Sequence, residues 1–157
     1  SLRRLVGLFL HAMEIDHVLE LYRQLAPVYE EVYGAEQRAK YLRAAALAGE
    51  KVVDAGCGTG IVFEVLSSYV VCLDISTEML GLARDKRGIW GELLIADYRM
   101  PPFRDGAFSS ALFISSADPR QFDELASLWS GIAGVLLFEF KDHWRGVDQR
   151  NYEKSNF

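Results

Sequence analysis

The stretch Lys51–Gly60, KVVDAGCGTG, decides how the rest of the chain is read. Two β-branched apolar residues lead into Asp54, and glycines follow at 56, 58 and 60. A buried strand therefore runs straight into a turn stripped of side chains. Such a turn, opening a helix, brings backbone N–H groups close to whatever lies above it. The spacing narrows the choice of ligand. A dinucleotide fingerprint, G-x-G-x-x-G, needs its third glycine at position 61, which is Ile61. A phosphate-binding P-loop needs Lys and then Ser or Thr after the last glycine, where this chain has Ile61 and Val62. Two readings remain: a tight strand-to-helix turn with no ligand, or one that receives a ligand through its bare backbone.

Working outward, short apolar strands alternate with helical stretches. GIVFEVLSS reads as a helix, YVVCLDIS as a strand, and STEMLGLARDKR as a helix capped by Ser76 or Thr77. GELLIAD and AFSSALFISS are strands three and four, PRQFDELASLWSGI is a helix, and GVLLFEF is strand five. This alternation predicts an α/β fold, a doubly wound and mainly parallel sheet covered on both faces. Upstream, Ile15, Val18, Leu19, Tyr22 and Leu25 recur at helical spacing up to Pro27. A second helical segment is expected to turn at Gly34 and to close at Gly49. The organisation expected is one domain, with a helical cover over 1–49, a core over 50–141 and a tail over 142–157.

Composition sets limits. The chain has 157 residues, half of them hydrophobic, which suits one domain with a real core. A net charge of −5 provides no field to draw a phosphate backbone, so nucleic acid is not expected as a partner. Cys57 and Cys72 stand apart, in no CxxC pattern, and are expected as free buried thiols, with no metal site. SLRRLVGLFLHA resembles a signal sequence superficially, but its apolar run is short and passes into the charged MEIDHVLELYRQL. It reads as a helical arm of a cytoplasmic protein. No segment approaches the ~20 apolar residues of a membrane span.

Three acids end three successive strands: Asp54, Asp74 and Asp97. Ligands of such sheets bind beyond the carboxyl ends of the strands, where the strand order reverses. Asp54, in an apolar strand, needs a partner; it either caps the glycine turn or attracts a cationic amine. Asp74 can accept two hydrogen bonds from a ribose diol, and Asp97 is placed to accept from an exocyclic amine. Singly, each is a turn former. Together they make an acidic edge suited to a positively charged nucleoside without phosphates.

At this point the chain resembles the class I S-adenosylmethionine-dependent methyltransferases, within them the ubiquinone and menaquinone biosynthesis branch. VVDAGCGTG looks like the first motif of that family, LDISTEML like its second, and ADYRMPPFRDGAFSSALF like the run through the fourth strand. LYRQLAPVYEEVYG is similar to its tyrosine-bearing N-terminal segment. The resemblance spans about Tyr22 to Phe140 and implies a Rossmann-like core, shortened at the C-terminus, with S-adenosylmethionine as cofactor and S-adenosylhomocysteine as product. It also implies roles. Gly56, Cys57, Gly58 and Gly60 would border the methionine moiety, with Asp54 at its amino group. Asp74 would hold the ribose, Ile75 and Met79 would pack near the adenine, and Asp97 would take the adenine amine beside Tyr98. Tyr29 would reach in from the cover, and Ser115 would face the methyl group. Ile75 and Met79 serve equally as plain core, and Ser115 as a structural serine. Tyr22 and Tyr33 are read as core aromatics, while Phe9, Leu10, Leu21 and Tyr22 are also candidates for a substrate pocket.

Departures from the family pattern shape the alternatives. SSADPR follows strand four where relatives carry histidines, and Arg23 and Glu30 stand where relatives often have aspartates. The tail has room for one helix or one strand and not for the full family ending. Methyl transfer needs alignment more than acid–base work, so no catalytic residue is assigned. His11 and His17 lie on the first helix, and only His143 is near the ligand edge by topology. The expected activity is methyl transfer to a small molecule. The alternatives are a non-catalytic cofactor-binding domain supporting a partner subunit, and a nicotinamide-dependent oxidoreductase using Asp74 on the NAD ribose. A homo-oligomer or a partner subunit is the candidate assembly.

Overall fold

The computed structural model describes residues 2–150, with side chains from residue 13 onward. Helix α1 (Leu2–Leu25) ends where Pro27 enters a short 3₁₀ turn (Ala26–Val28), and helix α2 (Tyr29–Ala48) follows. α2 runs through Gly34 without the expected turn. One glycine costs a helix interior about 1 kcal/mol, less than the helical hydrogen bonds and buried face on either side restore. Gly49, with φ 77°, ends the helix as expected.

Among the described residues six strands form one sheet: β1 (Lys51–Ala55), β2 (Tyr69–Asp74), β3 (Gly91–Ile95), β4 (Phe108–Ile114), β5 (Ala133–Phe140) and β6 (His143–Asp148). Their order is β3-β2-β1-β4-β5-β6, parallel throughout except that β6 returns antiparallel beside β5. The tail expected after residue 141 thus supplies that one strand. The switch point lies between β1 and β4, so the ligand edge falls where the glycine turn leaves β1.

Alternation along β1 sorts the core. Val52 faces a layer with Tyr41, Ala44 and Val62, while Val53 faces the larger layer around Phe113, Leu125, Trp129 and Phe138. In that layer Phe113 stacks on Phe138 at 4.4 Å and meets Trp129 edge-on at 5.3 Å. Helix α3 is short (Val62–Val65), because the chain leaves helical geometry at Leu66. Helix α4 (Thr77–Lys86) is capped by Ser76, whose Oγ accepts from the Met79 N–H at 3.1 Å. Asp118 caps a 3₁₀ turn (Pro119–Gln121) that leads into helix α5 (Phe122–Trp129).

Candidate functional site

The glycine turn folds back over β2. The N–H groups of Gly56 and Cys57 both donate to the Leu73 carbonyl, at 2.8 and 3.1 Å. Gly56, at φ 82°, lies so close to Ser116 that an added Cβ would sit 2.4 Å from the serine Cβ. Gly60 packs against α4, where a Cβ would come within 2.7 Å of Ala83, and lines none of the cavities below. Gly58 faces open space.

The fold-back overturns one expectation. Cys57 and Cys72 form a disulfide, not two free thiols. Parallel pairing places Cys72 beside Asp54, and the turn then carries Cys57 over the same strand, leaving the Cα atoms 5.3 Å apart. A separation of 15 residues gives no hint of this in the sequence.

Asp54 is fully buried. Tyr41 donates its hydroxyl to Oδ2 at 2.6 Å, while Oδ1 has no hydrogen-bond partner. Burial, with the Asp74 charge adding to it and Tyr41 opposing it, pushes the carboxyl up to about 7. Asp74 accepts from the backbone N–H of Gly58 (2.8 Å) and of Ser76 (2.9 Å). Burial raises its pKa, and these bonds hold part of the rise back.

Three cavities open along this edge. One of about 220 Å³ lies against Gly56, Asp74, Ile75, Asp97 and Tyr98, and α1 closes it with Val18 and Tyr22. A void of about 30 Å³ touches the turn from Gly56 to Thr59 together with Tyr29, Met79 and Ser115. A chamber of about 840 Å³ opens beyond Tyr22, Tyr29 and Ser115. The expected residues Asp74, Ile75, Asp97 and Tyr98 therefore meet in one cavity. Met79 belongs to the small void and is otherwise core, and Asp54 lines neither cavity but is bonded to Tyr41, which borders the void. Tyr98 is fixed by its hydroxyl, which donates to the Ser116 carbonyl at 2.9 Å, and Asp97 Oδ1 accepts from the Arg99 N–H at 2.9 Å.

The reading of Tyr22 and Tyr33 as core aromatics does not hold. Tyr22 is half-buried and borders all three cavities, and Tyr33 is exposed on the chamber wall. Burial pushes the hydroxyls of Tyr22, Tyr29 and Tyr98 up to about 12, so they are donors at neutral pH. Leu21 is exposed and outside the chamber. The side chains of Phe9, Leu10 and His11 lie outside the described residues. His17 is exposed on α1, and His143 lines the chamber.

Sequence reasoning missed Gln37, Lys40 and Glu139. Lys40 Nζ pairs with Glu139 Oε2 at 2.8 Å and donates to Ser115 Oγ at 3.0 Å. Gln37 Nε2 also donates to that oxygen, at 3.3 Å. A signal existed: Glu139 is a lone acid in GVLLFEF, as Asp54 is in KVVDAG, and both are equally costly without a partner. Among the described residues no cluster of His, Cys, Asp or Glu could hold a metal, and no helix is long and apolar enough to cross a membrane.

Comparisons with known proteins bear on the family and the fold. The profile of the family described as "Methyltransferase domain" matches residues 53–136. A malonyl-[acyl-carrier protein] O-methyltransferase of Serratia marcescens is 32% identical over 116 residues, 64% of this chain and 45% of that protein. An 18S rRNA (guanine-N(7))-methyltransferase of Schizosaccharomyces pombe is 39% identical over 69 residues, 41% of this chain and 26% of that protein. The chain thus spans less than half the length of these curated relatives. The solved structure of a possible histamine N-methyltransferase of Thermotoga maritima shares the fold, with TM-score 0.62 and 21% identity over 87% of this chain and 67% of that one. Asp97, expected at the end of strand three, lies two residues beyond it, because β3 stops at Ile95. With more than half of its length matched and the strand order in place, the chain belongs to the methyltransferase-domain family of class I, Rossmann-like fold.

Proposed function

We propose that this chain is the cofactor-binding and catalytic part of an S-adenosylmethionine-dependent methyltransferase whose acceptor is a small molecule. The observation that carries the reading is Asp54: a fully buried carboxyl with one unpartnered oxygen, in β1 two residues before the first glycine of the turn. A group so placed suits a cationic amine and repels a phosphate. The residues fit the cofactor on their own chemistry. Asp74 would hold the ribose hydroxyls while keeping its bonds to the Gly58 and Ser76 N–H groups. Asp97, Ile75 and Tyr98 would enclose the adenine, and Asp54 would balance the charge of the methionyl amine directly or through water. When bound, S-adenosylmethionine supplies a methyl group already activated on a sulfonium.

The protein's part is alignment and exclusion of water. Tyr22 borders both the cofactor cavity and the chamber, Tyr29 borders the small void at the glycine turn and the chamber, and their protonated hydroxyls can orient an acceptor without removing its proton. The chamber's volume, about 840 Å³, suits a drug-sized molecule. The relative from Serratia marcescens is named for O-methylation of a malonyl group on a carrier protein, and the relative from Schizosaccharomyces pombe for methylation of rRNA. The net charge of −5 favours a small acceptor over RNA. Within that class, the motif resemblance favours the ubiquinone and menaquinone branch.

Calorimetry with S-adenosylhomocysteine and NAD tests the cofactor, and binding of NAD alone would sink the reading. Labelled methyl from S-adenosylmethionine, followed into the small-molecule, protein and RNA fractions of a cell extract, tests the acceptor. Label in RNA only would reassign it. Intact cofactor binding with no label anywhere would favour the non-catalytic alternative.

A further inference from the structure

Three costly features meet where the cofactor side gives way to the chamber. The first is a buried ion pair, Lys40 with Glu139, whose side chains are 7% and 0% exposed. An apolar pair of similar volume would fill that space as stably or better. The second is Ser115, which holds a left-handed backbone at φ 54° without being glycine. The third is a hydrogen-bond network with its lysine donors fully used. Lys40 donates to Glu139 Oε2, Ser115 Oγ and Glu36 Oε1, at 2.8, 3.0 and 3.1 Å. Ser115 in turn donates to Glu139 Oε1 at 2.9 Å, and Glu139 Oε2 accepts from the Asp142 N–H at 3.1 Å. The Ser115 N–H donates to the Glu139 carbonyl at 3.1 Å, so backbone and side chain bind the same partner.

Packing alone does not call for this arrangement. It ties the middle of α2 to the ends of β4 and β5, and to the turn between β5 and β6. Ser115 lines both the small void at the glycine turn and the chamber, whereas Lys40 lines only the chamber. We propose that Lys40 and Glu139 are positioning residues for methyl transfer: through Ser115 they set the acceptor wall at a fixed place relative to the donor end. This rests on the methyltransferase reading above. Neither residue moves a proton. Burial disfavours both charges, but the pair outweighs it, raising the Lys40 pKa and lowering that of Glu139. Their contribution is a rigid boundary, so removing both charges together should spare folding and cofactor binding while harming transfer.

The test is the double variant Lys40→Met/Glu139→Leu, compared with wild type by thermal melting, S-adenosylhomocysteine calorimetry and labelled methyl transfer into the small-molecule fraction of a cell extract. The expected result is an unchanged or higher Tm, cofactor affinity within about threefold, and transfer reduced by roughly 30-fold or more. Transfer at the wild-type rate overturns the proposal. So does a loss of transfer matched by a fall in Tm or in cofactor affinity, which assigns the network to folding or to the donor side. Wild-type protein that binds S-adenosylhomocysteine and transfers nothing removes the methyl-transfer reading itself, and the positioning role with it; the wild-type arm tells the two failures apart.

Discussion

The donor edge and the chamber floor both bury a carboxylate in an apolar strand, and they treat it in opposite ways. Asp54 on β1 keeps one oxygen open and sits near half-ionisation at neutral pH. Glu139 on β5 is held ionised by Lys40, with a further bond to each oxygen. An open buried valence calls for an explanation, which the proposed function supplies with a ligand's charge, whereas a closed one is explained by its own partners. An acid near the carboxyl end of its strand is thus left with an open oxygen on one side of the switch point and fully bonded on the other.

The contrast can be broken by experiment. The largest effect is expected from Lys40→Met alone, which strands Glu139 as a buried unpaired charge and should cost about 3–5 kcal/mol in urea denaturation. A loss below about 1 kcal/mol would mean that the floor is not desolvated. Opening the Cys57–Cys72 bridge comes next. The enclosed loop of 15 residues gives an expected loss of about 3 kcal/mol on reduction. Two alkylatable thiols should appear only after a reductant is added, and thiols reactive in native, unreduced protein would remove the bridge from the donor edge. Asp74→Ala should weaken S-adenosylhomocysteine binding by about 1.5–3 kcal/mol in calorimetry. Unchanged affinity would show that the second-strand acid does not hold the ribose.

The smallest expected effect concerns pH. The folded pKa of Asp54, about 7, lies above its ordinary value of 3.8, so the folded chain keeps a proton that the unfolded chain has released. The stability this gives is fully present below about pH 4 and is lost as pH rises through 7. Asp54→Asn should flatten that loss and stabilise the ligand-free protein at pH 8 by about 1–3 kcal/mol, while weakening S-adenosylhomocysteine. Affinity in wild type should rise with pH through 7, as the carboxylate forms opposite the amine. A variant that binds as tightly as wild type at pH 8 would return Asp54 to a purely structural role.

How much was legible follows from how local each signal is. The strands could be read because β-branched runs such as VVDA and YVVCLD alternate with helical spacing. The three strand-end acids stood out because an acid in an apolar run is expensive anywhere. Gly34 misled, since a lone glycine is a weak signal against a 20-residue helix. Tyr33 misled, and the reading of Tyr22 stayed open between core and pocket, because helical spacing shows which residues share a face and not whether that face meets core or cavity.

The sequence by itself determined the alternation of strands and helices through β5, the glycine turn, and the departure of that turn from the P-loop and dinucleotide fingerprints. These depend on side-chain volume, backbone freedom and hydrophobic period within a few residues. Tertiary structure alone decided that Cys57 meets Cys72, that Tyr22 borders three cavities, and that Lys40 neutralises Glu139 while Asp54 stays open. Those outcomes depend on which distant segments the sheet order brings together. A buried charge announces that it needs a partner, but only the fold selects whether that partner is a side chain or a ligand.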